Sequence, residues 1–250
     1  MSEREEIVLS PIDILIGVVI RPRETFEKLK EARQGYWGVM LAITAVGILL
    51  LAIAGAAAQS RMLQSIQVPE GAMAMGQPAV ALQIVGALIT GVVGALVGYL
   101  FRACVVFVAG LVMSGRANGF RQIFRMAVWT TLPMAVRSLM QAIAGFISGG
   151  VSTAGMSGVL SVEESFSMPT LSLLLSQFDI YLIWSMVLLG IGAAATSNLD
   201  RKKAIIVVVV YLVLALAATL ALNAIGGAVG NLFGGGFGGP GMGTSRRIGG

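Results

Sequence analysis

From residue 36 to residue 58 the chain runs for more than twenty positions without one charged side chain, and four later stretches are almost as poor in charge. Inside hydrocarbon the backbone amides find no water. A segment that crosses a bilayer must therefore satisfy them internally, which an α-helix of ~20 residues does by itself. Five spans follow, at roughly 36–58, 79–113, 124–148, 171–196 and 204–229. Composition agrees: 56% of the residues are hydrophobic and only 12% charged, about half the charge of a soluble domain. The fold class expected is an all-α polytopic membrane protein, a bundle of five transmembrane helices preceded by one or two short interfacial helices.

Orientation follows from counting Lys and Arg near the span ends. Twelve lie in the N-terminal segment and in the second and fourth loops. Only Arg61, Arg246 and Arg247 lie in the first and third loops and the tail. This places the N-terminus in the cytoplasm and the C-terminus outside, or in a lumen. The net charge of +5 sits in clusters beside apolar runs, so anionic lipid headgroups, and no nucleic acid, are the partner it suits. Residues 1–6 lack the basic flank of a cleavable signal peptide, and the first span is expected to stay in the mature chain.

Before the first span, Ser10 is placed to cap a helix starting at Pro11, with Asp13 in its first turn. Ile12, Leu15, Ile16, Val19 and Ile20 then repeat at helical spacing. Arg21 precedes a proline and is pushed out of helical geometry, so a second helix restarts at Pro22. Its edge of Phe26, Leu29 and Ala32 is apolar, and Glu24 can pair with Lys28. Both helices are expected on the cytoplasmic membrane surface with their apolar edges turned toward lipid, Pro22, Phe26 and Leu29 marking this interfacial segment. The resulting division is 1–35 for these interfacial helices, 36–229 for the transmembrane domain and 230–250 for a Gly-rich flexible tail. The first and third loops, 59–78 and 149–169, read as polar connections.

Three ionisable residues fall at membrane depth: Arg102, Arg137 and Asp179. Charge there is costly and should face the bundle interior beside a partner. Gly91, Gly94 and Gly98 step at helical spacing toward Arg102, offering a close-packing face. Pro133 should kink the third span. Estimated depths place Asp179 within reach of either arginine, with Arg137 preferred, whereas Arg102 could instead snorkel to the headgroups. One carboxylate beside two permanent cations makes a poor proton relay and suits a pair that sets helix register.

Catalysis finds little to work with. The chain has no histidine, which removes His-based nucleophile activation and metalloprotease His pairs. An intramembrane aspartyl dyad needs two carboxylates at one depth, and Asp179 is alone. No catalytic residue, cofactor or metal site is expected. Cys104 is the single cysteine and forms no intrachain disulfide.

The stretches "RPRETFEKL" before the first span, "GFRQIFRMAVWTTLP" at 119–133 and "FDIYLIWSMVLLGIGAAATSNLDRKKA" at 178–204 together resemble the Yip domain family. These are membrane proteins named for interaction with Ypt/Rab GTPases. Pro22, Phe26, Pro133, Asp179 and Trp184 match the pattern, and the resemblance covers roughly 12–222. It implies five spans, a cytoplasmic N-terminus and a role in organising membranes or partner proteins, which eukaryotic members perform in vesicle trafficking. GTPase binding is doubtful, because the N-terminal extension is about 35 residues and holds no docking segment. A membrane-protein partner or a homo-oligomer suits a scaffold. The alternative is a small-solute or ion transporter, or its accessory subunit, built on Arg102, Arg137 and Asp179.

Overall fold

Each run of the chain that carries a periodic apolar face has become a helix. The computed structural model describes residues 9–32, 36–65, 70–114, 119–148 and 169–234. Their helices are α1 (Pro11–Ile20), α2 (Pro22–Glu31), α3 (Trp37–Ser65), α4 (Glu70–Ser114), α5 (Phe120–Trp129), α6 (Leu132–Ser148), α7 (Pro169–Gln177), α8 (Ile180–Ser197) and α9 (Arg201–Gly234). No strand occurs among the described residues.

Four of these contain segments long and apolar enough to cross a bilayer: Trp37–Arg61, Val80–Ser114, Ile180–Ser197 and Arg201–Ile225. The third expected span exists in two pieces, α5 and the 17-residue α6. The fourth is also divided, into α7 and α8. A kinked third helix and a continuous fourth are thus corrected to two outright breaks. The expected first loop, 59–78, is corrected too, because α3 continues to Ser65 and α4 begins at Glu70. Backbone hydrogen bonding propagates cheaply once a helix exists, so a few polar side chains do not stop it. The third loop falls almost wholly outside the described residues. At the other end α9 runs to Gly234, past the expected start of the tail.

The chain divides into two compact units, Met1–Tyr211 and Leu212–Gly250. In the first, α3 packs on α4 and α6, α5 on α4 and α8, α6 on α8, and α2 on α5 and α8. Trp129, Ile123, Met126 and Leu189 are fully buried there, whereas Leu82, Val97 and Val112 of α4 stand outward. A contiguous apolar exterior would be an aggregation surface in water. Against acyl chains it is the ordinary solvent-facing side. In the second unit the described part of α9 likewise presents Val213, Leu222 and Ile225 outward.

The N-terminal pair forms as its caps dictate. Ser10 accepts the amide of Asp13 and the Asp13 carboxylate accepts the Ser10 amide, while Pro11 and Pro22 open the two helices. The expected lipid-facing edge of α2 is reversed, however. Phe26 and Leu29 are fully buried, and Phe26 lies beside Gly192 of α8, where an added Cβ would collide with Met126 and touch Phe26. Periodicity identifies the face that avoids water, but protein, not lipid, covers it here. Pro22 keeps its place as the first residue of α2. Where α1 crosses α2, a Cβ on Gly17 would strike the Thr25 hydroxyl. The expected glycine face of α4 divides in the same way: Gly91 meets Ile48 of α3, but nothing lies within 4 Å of a Cβ at Gly94 or Gly98.

Candidate functional site

The third span breaks where Pro133 brings no N–H for the Trp129 carbonyl and its ring displaces that turn. The last turn of α5 is then closed by hydroxyls. Thr130 Oγ1 donates to the Ala127 carbonyl (2.7 Å) and Thr131 Oγ1 to the Val128 carbonyl (2.6 Å). From α8, Ser185 Oγ donates to the Thr130 carbonyl (2.8 Å). Arg102 reaches in from α4, and its Nη1 donates to Thr130 Oγ1 (3.1 Å) and to Ser185 Oγ (2.9 Å). Each hydroxyl therefore accepts from the guanidinium and donates onward to a terminal carbonyl. The positive charge sits at the negative end of the α5 dipole. The Tyr211 ring, 4.8 Å from Arg102 Cζ, covers it on another side. Arg102 is 4% exposed, so it does not snorkel. Arg102 Nε has no hydrogen-bond partner among the described residues.

The second break is built around Asp179. It takes extended backbone as the N-cap of α8, and its Oδ1 accepts the Leu182 amide at 2.8 Å. Its Oδ2 lies 2.7 Å from Arg137 Nε. That approach is short but poorly aligned, an ion pair more than a directed hydrogen bond. Arg137 Nη2 donates to the Ser176 carbonyl in the last turn of α7 (2.6 Å). One guanidinium from α6 thus serves the C-terminus of α7 and the capping carboxylate of α8 together.

The same arrangement recurs where the sequence offered no candidate. Arg125, which with Arg116 and Arg121 makes up the second-loop share of the twelve basic residues counted above, is 5% exposed, and its Nη1 donates to the carbonyl of Ala32, the C-cap of α2 (2.6 Å). Lys203 Nζ donates to the Met113 carbonyl at the end of α4 (2.9 Å). Asp200 accepts the Lys203 amide through Oδ1 (2.8 Å). Among the described residues four cations thus address the C-terminal turns of four helices, and three aspartates, Asp13, Asp179 and Asp200, address N-terminal turns. The terminal carbonyls and amides that a helix leaves unmet cannot reach water inside a bilayer. At the two breaks within the spans, Arg102, Arg137 and Asp179 replace the water.

Of the residues expected to form one network, Arg137 and Asp179 meet. Arg102 stands apart, and no carboxylate among the described residues lies within ion-pair distance of it. Ser185 and Arg125 were missed. Ser185 is indistinguishable by type from a small packing residue. Arg125, by contrast, stands inside the apolar run "IFRMAVW", a signal that its assignment to a loop concealed.

A family model described as the Yip1 domain matches residues 16–222. The chain is also similar to a curated relative, the membrane protein YknW of Bacillus subtilis (strain 168). They are 26% identical over 225 residues, which cover 85% of this chain and 92% of the relative. No solved structure matches significantly.

Proposed function

This chain belongs to the Yip1 domain family, and from that premise we propose that it works without catalysis, as an integral membrane scaffold that organises lipid and partner proteins. One observation carries the reading: the membrane-depth charges are engaged as helix caps. Asp179, the carboxylate a relay would need, already serves the α8 amide and Arg137. Such an arrangement fixes helix register, the best-attested use of a buried ionic pair.

The N-terminus is assigned to the cytoplasm and the C-terminus to the outside or a lumen on the excess of basic residues. Exposed Arg121, Arg201 and Lys202 suit anionic headgroups on the cytoplasmic side. A membrane-protein partner or a second copy would meet the outward faces of the long helices.

Transport is the second reading, favoured by a specific feature. Two helices break at membrane depth, as the substrate-binding helices of many transporters do. There, half-helix ends are left open for ligand. Here the ends at α5, α7 and α8 are occupied by Arg102 through two hydroxyls, Arg137 and Asp179.

Proteoliposomes with an entrapped pH dye separate the two. The scaffold expectation is that Asp179→Asn lowers thermal stability and the yield of cross-linked assemblies while proton flux stays at the protein-free level. A proton or ion flux that the wild type shows and a well-folded Asp179→Asn loses would overturn the scaffold reading.

A further inference from the structure

We infer that α1 is a shallow, in-plane lipid anchor held by apolar insertion rather than by headgroup charge. The inference rests on the reading above that the α1–α2 end of the bundle lies at the cytoplasmic leaflet. Its length comes first: ten residues make a helix of ~15 Å, half a hydrocarbon core, so α1 cannot cross. Apart from Asp13 in its first turn, whose carboxylate is engaged by the Ser10 cap, its surface is apolar. Ile14 and Val18 are fully buried, whereas Ile12 and Ile20 are each 68% exposed, with Ile16 and Val19 about half exposed. Such a helix has a second apolar side that no part of this chain covers among the described residues.

Its height in the bundle says what covers that side. Phe26 of α2 abuts Gly192, five residues before α8 ends at Ser197, a distance of ~8 Å along the helix. The Ala32 carbonyl is held by Arg125, and five residues further on the chain enters α3 at Trp37. The pair therefore sits where α3 begins and α8 ends, the level of the boundary between headgroups and acyl chains. An outward isoleucine face at that level meets lipid.

Charge decides the manner of attachment. Between residues 11 and 32 there are four basic and four acidic side chains. Arg23 pairs with Glu27 and Lys28 with Glu24. The segment carries no net charge to draw it toward anionic headgroups. What remains is burial of isoleucine and valine, which is indifferent to headgroup charge and to salt. Because α2 is wedged by Phe26 and held by Arg125, the depth of α1 is tied to α5 and α8.

The test uses the full chain with Cys104→Ser, reconstituted into phosphatidylcholine vesicles with or without phosphatidylglycerol. An environment-sensitive fluorophore is attached to Ile16→Cys, and separately to Arg23→Cys on the polar side. The expected result is blue-shifted emission at position 16, quenched by lipids spin-labelled near the headgroup. It should be equal in both vesicle types and unchanged by high salt, while the label at position 23 is quenched by aqueous iodide. Iodide quenching at position 16, or insertion seen only with phosphatidylglycerol and reversed by salt, would overturn the inference. So would disulfide formation between Ile16→Cys chains, which would give the face to a second copy. A membrane-impermeant thiol reagent that labels Arg23→Cys on intact cells would refute the cytoplasmic placement itself, whatever the fluorescence shows.

Discussion

The outer face of α2 and the two broken spans both hold charged side chains, but they use them in opposite ways. On α2 the charges pair with one another along a single helix, Arg23 with Glu27 and Lys28 with Glu24, all about half exposed or more. At the breaks no two charges share a helix; Arg137 crosses from α6 to the end of α7 and to Asp179, and Arg102 crosses from α4 to α5 and α8. Water explains the difference. Where it is present, terminal carbonyls are satisfied by solvent and ion pairs contribute little. Where it is absent, an unmet carbonyl is worth several kcal/mol, and a guanidinium with many donors is the side chain best suited to meet it. Depth, more than residue type, sets what an arginine does in this protein.

The largest effect should come from Arg137→Met. It removes the Ser176 contact and strands a mostly buried carboxylate, a change that destabilises by ~3–5 kcal/mol in comparable buried pairs. Thermal unfolding in detergent micelles checks it. If the pair serves register and no more, the double variant Arg137→Met with Asp179→Asn should recover part of that loss, since Asn keeps the α8 cap. Full additivity of the two single changes would instead show that the side chains act independently.

Arg125→Gln should rank next. Its amide can still reach toward Ala32 but carries no charge, and losing a charge-assisted hydrogen bond costs ~1.5–3 kcal/mol. Because the contact joins α2 to α5, the loss should be local, visible as faster amide exchange across residues 22–31 with the spanning helices unchanged. Thr130→Val and Ser185→Ala each remove one hydroxyl between Arg102 and the end of α5, at ~1–3 kcal/mol. Together they should cost less than their sum, because the first substitution already leaves the guanidinium undersatisfied.

How far these sites could be read beforehand depended on whether a local residue or a distant one decided the geometry. Ser10, Pro11 and Asp13 announce a capped helix, and Arg21 before Pro22 announces its end, because caps and prolines act within a few residues. The approach of Asp179 to Arg137 was legible as well, since helix rise converts sequence position into depth. The break at Phe178 was not. The run 171–196 holds no proline, and its two glycines, Gly190 and Gly192, both lie inside α8. Asp179 looked like a charge within a continuous helix, although aspartate is a preferred N-cap and that reading was open. Pro133 pointed to a disturbance, but Thr130, whose hydroxyl helps close α5 there, is held by contacts from α4 and α8. Phe26 and Leu29 were recognised as apolar but assigned the wrong cover, as amphipathicity names a buried face and not its partner.

The smallest effect belongs to the water side of the comparison, and acid is the way to reach it. The hydrogen bonds from the Ser10 hydroxyl and amide hold the Asp13 carboxyl below its ordinary value. The Lys28 ammonium does the same for Glu24, by hydrogen bond first and by charge second. A depressed folded value means the carboxylate form favours the folded helices. That contribution is complete above the unfolded values of roughly pH 4 and is lost as pH falls through the lowered folded ones. Residues 11–31 should therefore keep constant amide protection from neutral pH to about pH 4.5 and lose it progressively below. High salt should weaken the Glu24 part alone, because the Asp13 part is a cap rather than an ion pair. No carboxylate among the described residues lies within ion-pair distance of Arg102, so protection of Ser185 should stay level through the same titration. If Ser185 exchanges in step with α1 and α2, the two regions are one cooperative unit, and depth does not separate their charges.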